Sequence, residues 1–290
     1  MADLFSELES LGLGRLKNVE VYDTNENGSK GKSDVSKQEA ARIIESELLF
    51  DKTYTCPVCD REFKSKTVRT GRVKLAGADT DLRPKYNPVD SLKYDAVVCP
   101  NCGFAALTRF FTYVSPTQAK LIKENISASF KGMKETGDIY SYDDAITRHK
   151  LALVNTIIKR GKVSEKAYTC LKIAWLIRGK AETLDLKTKD YKVIIHALKK
   201  EENEFIAKAY QGFSDAFSKE RFPMCGMDEI TTTYLVADLA RRAGRFNEAN
   251  RFISKVIISR NTPERIKQKA RDLKDLIVAD MKLAGEQAGQ

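Results

Sequence analysis

The chain has 290 residues, 42% of them hydrophobic and 31% charged, a mixture that supports a sizeable folded core and excludes general disorder. No run approaches the length of a membrane span, and the opening MADLFSELESLG lacks the basic start and apolar stretch of a secretory signal, so a cytoplasmic protein with no membrane partner is expected. The formal charge of +10 permits an acidic partner such as nucleic acid, but the balance is −4 over residues 1–50, +4 over 51–115 and +10 over the remainder, where solvated helix faces are the ordinary explanation.

Residues 1–35 form an N-terminal extension. Residues 2–11 suggest a short helix and LKNVEVYD a strand, while TNENGSKGKSD reads as a flexible loop. Its GSKGKS resembles a phosphate-binding loop, but the pattern requires glycine where Glu26 stands. Residues 36–114 are expected to form a β-rich domain with a leading helix. That helix, SKQEAARIIESELLF, opens with Ser36 as cap and Glu39 three residues on. From Tyr54 to Val114 short β-prone runs are broken by Gly, Pro and Asp turns.

Within this unit stand C56-P-V-C59 and C99-P-N-C102-G. Each C-x-x-C turn offers two thiolates from one tight knuckle, and zinc takes four such ligands in a tetrahedron. In a reducing compartment paired cysteines are metal ligands before they are disulfides. Cys56, Cys59, Cys99 and Cys102 are therefore expected to hold one structural Zn2+ per chain. Gly103 and Asp60 occupy matching positions where the turn needs positive φ. The 39 residues between the knuckles exceed the usual spacing of about 15–20, so an insertion is predicted there.

Two further stretches of the β unit are candidates. Lys64, Lys66, Arg69, Arg72 and Lys74 lie on what reads as a ribbon-like hairpin that could track phosphates, against the plainer reading of a charged, solvated strand. Asp79, Asp81, Arg83 and Tyr86, in DTDLRPKYNP, could make a loop site for a hard cation; a loop pinned by an Arg83 ion pair is simpler.

Residues 115–290 read as helical throughout. Ser115-Pro116 opens a helix to about Met133. A second runs from Tyr142 to Arg160 with His149 on its apolar stripe, which makes His149 a core residue. The third, from Ser164, is apolar on nearly every side and contains Cys170, a core filler. The long fourth carries His196 on an exposed face, and FPMCGM, with a Cys225 expected at the surface, follows it. YLVADLARRAGRFNEANRFISKVI has the marks of a tetratricopeptide-like hairpin: Ala237 for close approach, Gly244 for the turn, and Phe246, Ala249 and Ile253 for packing. A helix after Thr262-Pro263 caps the array. The fold class expected is α+β: a small β-rich zinc ribbon followed by an all-α, tetratricopeptide-like repeat domain.

YTCPVCDREF, DLRPKY, YDAVVCPNCGFAA, AWLIRG and YLVADLARRAGRFNEA together resemble a bacterial, Firmicutes-type family of unknown function, over roughly residues 50 to 285. The resemblance implies a zinc ribbon joined to tetratricopeptide-like helices, with the four cysteines as ligands and no catalytic residues. Neither histidine adjoins a recognised nucleophile motif, so a non-enzymatic role is expected. The expected function is a zinc-stabilised scaffold that binds an unidentified protein on its helices; the alternative is a nucleic-acid-binding regulator using the basic ribbon.

Overall fold

A computed structural model describes residues 6–14, 45–133 and 137–288. The expected strand at 16–23, the loop at 24–34 and most of the helix from Ser36 lie outside the described residues. Ser6–Leu11 is a 3-10 turn that places Leu11 and Leu13 in the core.

Among the described residues, the N-terminal half contains three two-stranded antiparallel sheets. β1 (Leu49–Thr55) pairs with β2 (Glu62–Val68), β3 (Lys74–Ala78) with β4 (Pro84–Asn87), and β5 (Ala96–Val98) with β6 (Ala105–Leu107). The predicted insertion is the β3–β4 hairpin together with a 3-10 turn at Ser91–Tyr94. Leu49 and Phe50, expected in a helix, instead open β1, where Leu49 packs with Val89, Tyr94 and Tyr140.

Among the described residues seven α-helices follow: α1 (Pro116–Ile122), α2 (Tyr142–Ile158), α3 (Val163–Glu182), α4 (Tyr191–Lys219), α5 (Glu229–Arg242), α6 (Phe246–Ile258) and α7 (Glu264–Ala288). From α2 onward each packs on the next. Ser115 and Ser141 each close a reciprocal capping box, satisfying backbone donors that a helix start leaves open. α1 ends earlier than its sequence suggests: a π-turn at Lys123–Ser127 follows it. There the Asn125 side chain donates to the Leu121 carbonyl and Ser127 to the Cys102 carbonyl, which is the side-chain competition that makes such residues poor in helix interiors.

The α5–α6 hairpin has the features read from its sequence. Gly244 adopts φ +72° at the turn, and Ala237, Ala249 and Ile253 are fully buried in a cluster closed by Ala270, Leu273 and Ile277 of α7. The main core is continuous across both halves of the molecule: Cys56, Phe63, Cys99, Phe104 and Phe111 belong to the same buried cluster as Leu151, Trp175, Phe205 and Phe213. The architecture is α+β, small antiparallel sheets followed by a helical array.

Candidate metal centre

Each cysteine pair is the turn of a β-hairpin. Cys56 and Cys59 lie between β1 and β2, Cys99 and Cys102 between β5 and β6. The turns are of one kind: Asp60 N–H donates to the Cys56 carbonyl at 2.9 Å and Gly103 N–H to the Cys99 carbonyl at 3.1 Å, with Asp60 at φ +60° and Gly103 at φ +72°. Glycine takes that conformation freely and aspartate better than most residues. Gly103 has a second reason to be glycine, since a Cβ there would stand 2.6 Å from the Phe130 ring.

The hairpins bring the four sulfurs together. Cys56 Sγ lies 3.6 Å from Cys102 Sγ and Cys59 Sγ 3.7 Å from Cys99 Sγ, and all four ligand atoms fall within 4.8 Å of one another. Four thiolates at about 2.3 Å from a zinc ion have sulfur–sulfur edges of about 3.8 Å, so the spacing suits a tetrahedral ion. A disulfide needs about 2.05 Å, and all six cysteines are free.

The electrostatics also favour a cation. Donation from the Cys102 and Cys56 thiols, helped by the Asn101 and Cys102 backbone N–H groups, pulls the Cys99 thiol well below the usual thiol range. Its neighbour Cys102 is driven upward, because the Cys56 and Cys99 sulfurs leave no room for a second bare charge in a buried place. A bound cation removes that conflict and lets every thiol ionise. The four cysteines could hold a metal ion.

The other cysteines and histidines sit elsewhere. Cys170 is wholly buried and burial pushes its thiol up to about 12. Cys225, expected at the surface, is buried instead: with φ +49°, inside a tight turn closed by the Met224–Met227 bridge, it donates to the Ser164 carbonyl at 3.2 Å. Burial pushes its thiol up to about 12 as well. His149 is fully buried, donates from Nδ1 to the Ala145 carbonyl at 2.7 Å, and is held down to about 4 by burial. His196 is exposed.

The basic run is not one hairpin. Lys64 and Lys66 lie in β2, paired to β1, whereas Lys74 begins β3, paired to β4; Arg69, Gly71 and Arg72 lie between them. The alternation that suggested a single ribbon spans two strands with different partners. Lys64, Arg72 and Lys74 are exposed, Lys66 faces Asp51 at 3.8 Å, and Arg69 donates to the Leu49 carbonyl at 3.0 Å.

The DTDLRPKY loop is pinned to the helices. Asp81, fully buried, receives the Arg178 guanidinium at 2.6 and 3.0 Å and the Trp175 indole N–H at 3.1 Å. Asp79 meets Arg178 at 3.0 Å and Lys85 at 2.8 Å. Arg83 grips Glu182 with two hydrogen bonds of 2.9 and 2.7 Å, the strong fork geometry of guanidinium and carboxylate. Thr80 and Arg242 both bond Asp238 of α5, at 2.9 and 2.7 Å. Burial alone would raise the Asp81 carboxyl, but Arg178 and Arg242 hold it below the usual carboxylate range. These carboxylates are therefore occupied by arginine and lysine. Tyr86 is half-buried, in register with Leu75 of β3. Sequence reading missed Arg178, Glu182 and Asp238, the helical partners of this loop, and Glu202, which accepts from Arg178 at 2.8 Å; the one signal was a charge, Arg178, directly after the apolar run IAWLI.

No helix among the described residues is long and apolar enough to cross a membrane. No curated protein and no solved structure matches the chain. A family model described as "Uncharacterized protein conserved in bacteria (DUF2225)" matches residues 49–277, from the first strand to the last buried residue of α7. The chain belongs to this bacterial family.

Proposed function

We propose that the protein is a zinc-stabilised scaffold that binds a protein partner on its helices, in a reducing cytoplasm. The observation that carries the zinc reading is the closed set of four sulfurs with tetrahedral spacing. Four thiolates fill the coordination sphere, whereas a hydrolytic zinc keeps one position for water. Soft thiolates select zinc over the hard cations, and their burial suits a structural ion. A non-enzymatic role is supported by the state of the remaining thiols, since Cys170 and Cys225 are buried with raised pKa and so are poor nucleophiles. Consecutively packed helices present extended faces, the usual basis of partner binding by helical arrays.

Two measurements test this. Elemental analysis of protein purified under reducing conditions should give about one zinc per chain, and its removal by a chelator should lower the melting temperature, because the ligands lie in the main core. An iron–sulfur absorption spectrum, or zinc that stays far below one equivalent after reconstitution, overturns the assignment. Affinity purification from the native cell with and without nuclease addresses the scaffold: a stoichiometric protein partner that survives nuclease supports it, and association that nuclease abolishes favours the nucleic-acid reading.

A further inference from the structure

The two knuckles are held in different ways. The first closes on its own strands, through Asp60 N–H to the Cys56 carbonyl and Cys56 N–H to the Arg61 carbonyl at 3.0 Å, and its Asp60 and Arg61 are exposed. The second is gripped from the helical half. Ser127 of the π-turn donates its hydroxyl to the Cys102 carbonyl at 2.9 Å. Asn155 of α2, fully buried, donates Nδ2 to the Gly103 carbonyl at 3.1 Å and to the Leu151 carbonyl at 3.0 Å. Those two carbonyls belong to peptides that flank the N–H groups aimed at sulfur: the Cys102 N–H points at Cys99 and the Phe104 N–H at Cys102. Fixing a peptide's carbonyl fixes the direction of the N–H on the same plane; the Gly103 carbonyl shares its peptide with the Phe104 N–H.

A buried asparagine in a helix interior is costly unless its amide is used. Here the Oδ1 atom of Asn155 is buried without a hydrogen-bond partner among the described residues, so the Nδ2 bonds must offset that cost. We infer that Asn155 and Ser127 are positioning residues of the metal centre: they hold the second knuckle in its ligating shape from the helical side and so couple metal affinity to the seating of α2 and the π-turn. This rests on the metal reading proposed above. Outer partners that orient ligands commonly change metal affinity by about 10- to 100-fold when removed.

The test is cobalt(II) titration of the metal-free full-length protein, followed by thiolate-to-cobalt absorption, with affinity set by competition against a chromophoric chelator. Asn155→Ala and Ser127→Ala should each weaken cobalt binding by about tenfold or more. Thr232→Val, which removes a buried hydroxyl on α5 bonded to the Asp228 carbonyl, serves as the control and should leave cobalt affinity unchanged whatever it does to stability. Ser127 is only half-buried, so its variant remains informative if Asn155→Ala fails to fold. Variants that bind cobalt as tightly as the wild type overturn the inference and leave the metal reading standing. Wild-type protein that gives no thiolate-to-cobalt absorption overturns the metal reading, and this inference with it.

Discussion

The Asp81 carboxylate accepts the Trp175 indole N–H at 3.1 Å across a separation of 94 residues, and the same carboxylate receives Arg178 one helical turn further along α3. The DTDLRPKY loop is thus locked to one face of α3 by a buried charge that accepts three hydrogen bonds from that helix. Removing one partner of a buried ion pair strands the other, which typically costs about 3–5 kcal/mol. Asp81→Ala and Arg178→Met should each fall in that range by urea unfolding at neutral pH. Asp81→Asn, which can still accept from Trp175, should lose less. Losses near zero for the first two would mean that water replaces the partner.

Gly103 and Gly244 share positive φ but differ in surroundings, which separates two costs. Gly244→Ala meets nothing within 4 Å and should lose only the left-handed penalty of about 1–2 kcal/mol. Gly103→Ala should lose clearly more, because its Cβ would collide with Phe130. Ala249→Glu, which puts a charge into the α5–α6–α7 cluster, should cost about 2–4 kcal/mol. Thermal melts of the three variants rank these effects, and equal melting of wild type and Ala249→Glu would remove the hairpin packing described here.

His149 gives the fold a definite acid sensitivity. Burial lowers its pKa in the folded state to about 4 from the ordinary 6.5 of a free imidazole, so as pH falls below about 6.5 the unfolded chain takes up the proton first and stability drops. The loss accumulates until the folded pKa is passed and should reach roughly 3 kcal/mol, at 1.36 kcal/mol per unit. Asp79 and Asp81, whose folded pKa values are lowered, keep their contribution above the unfolded carboxylate range near 4 and lose it only in stronger acid. Stability measured from pH 7 to 4 should therefore fall steeply in the wild type and less steeply in His149→Leu; parallel slopes would assign the acid effect to another group.

The basic residues beside the first knuckle should prove to be solvated. Reversing Lys64, Lys66 and Arg72 to Glu is expected to leave metal content and fold intact, and the wild type should show only weak, unselective binding to DNA or RNA near physiological salt. Fluorescence anisotropy at two salt concentrations checks this. Tight, selective binding that the triple variant loses, with a flattened salt dependence, would bring the nucleic-acid reading forward.

What could be read from sequence was local. The C-x-x-C spacing, the Asp60 and Gly103 turns, the Ser115 cap and the Gly244 hairpin all depend on residues within a few positions of one another, where chemistry and spacing coincide. The partners of Asp81 could not be found that way, because Arg178 and Trp175 lie more than ninety residues away and carry no mark of what they bond. Leu49 and Phe50 were misassigned for a related reason: their apolar character suits a helix face as well as the strand that packs on Tyr94 and Val89. Cys225 looked like a loop thiol in FPMCGM, and only the fold of that turn onto Ser164 buries it. Beyond the early end of α1, Ser127 meets the Cys102 carbonyl, a partner that the sequence of α1 does not contain.

The cluster that runs from Cys56 and Phe104 to Trp175 and Phe213 makes the ribbon and the helices one unit of folding. A ribbon that completes its interior with helices has no closed surface of its own, and helices that lend Asn155 and Ser127 to a knuckle each lose a hydrogen bond without it. Neither half buries its own interior without the other. The stretch matched by the bacterial family runs from the first strand to Ile277, a buried residue of α7, so it takes in both halves of the shared core, to which Leu11 and Leu13 add from outside it.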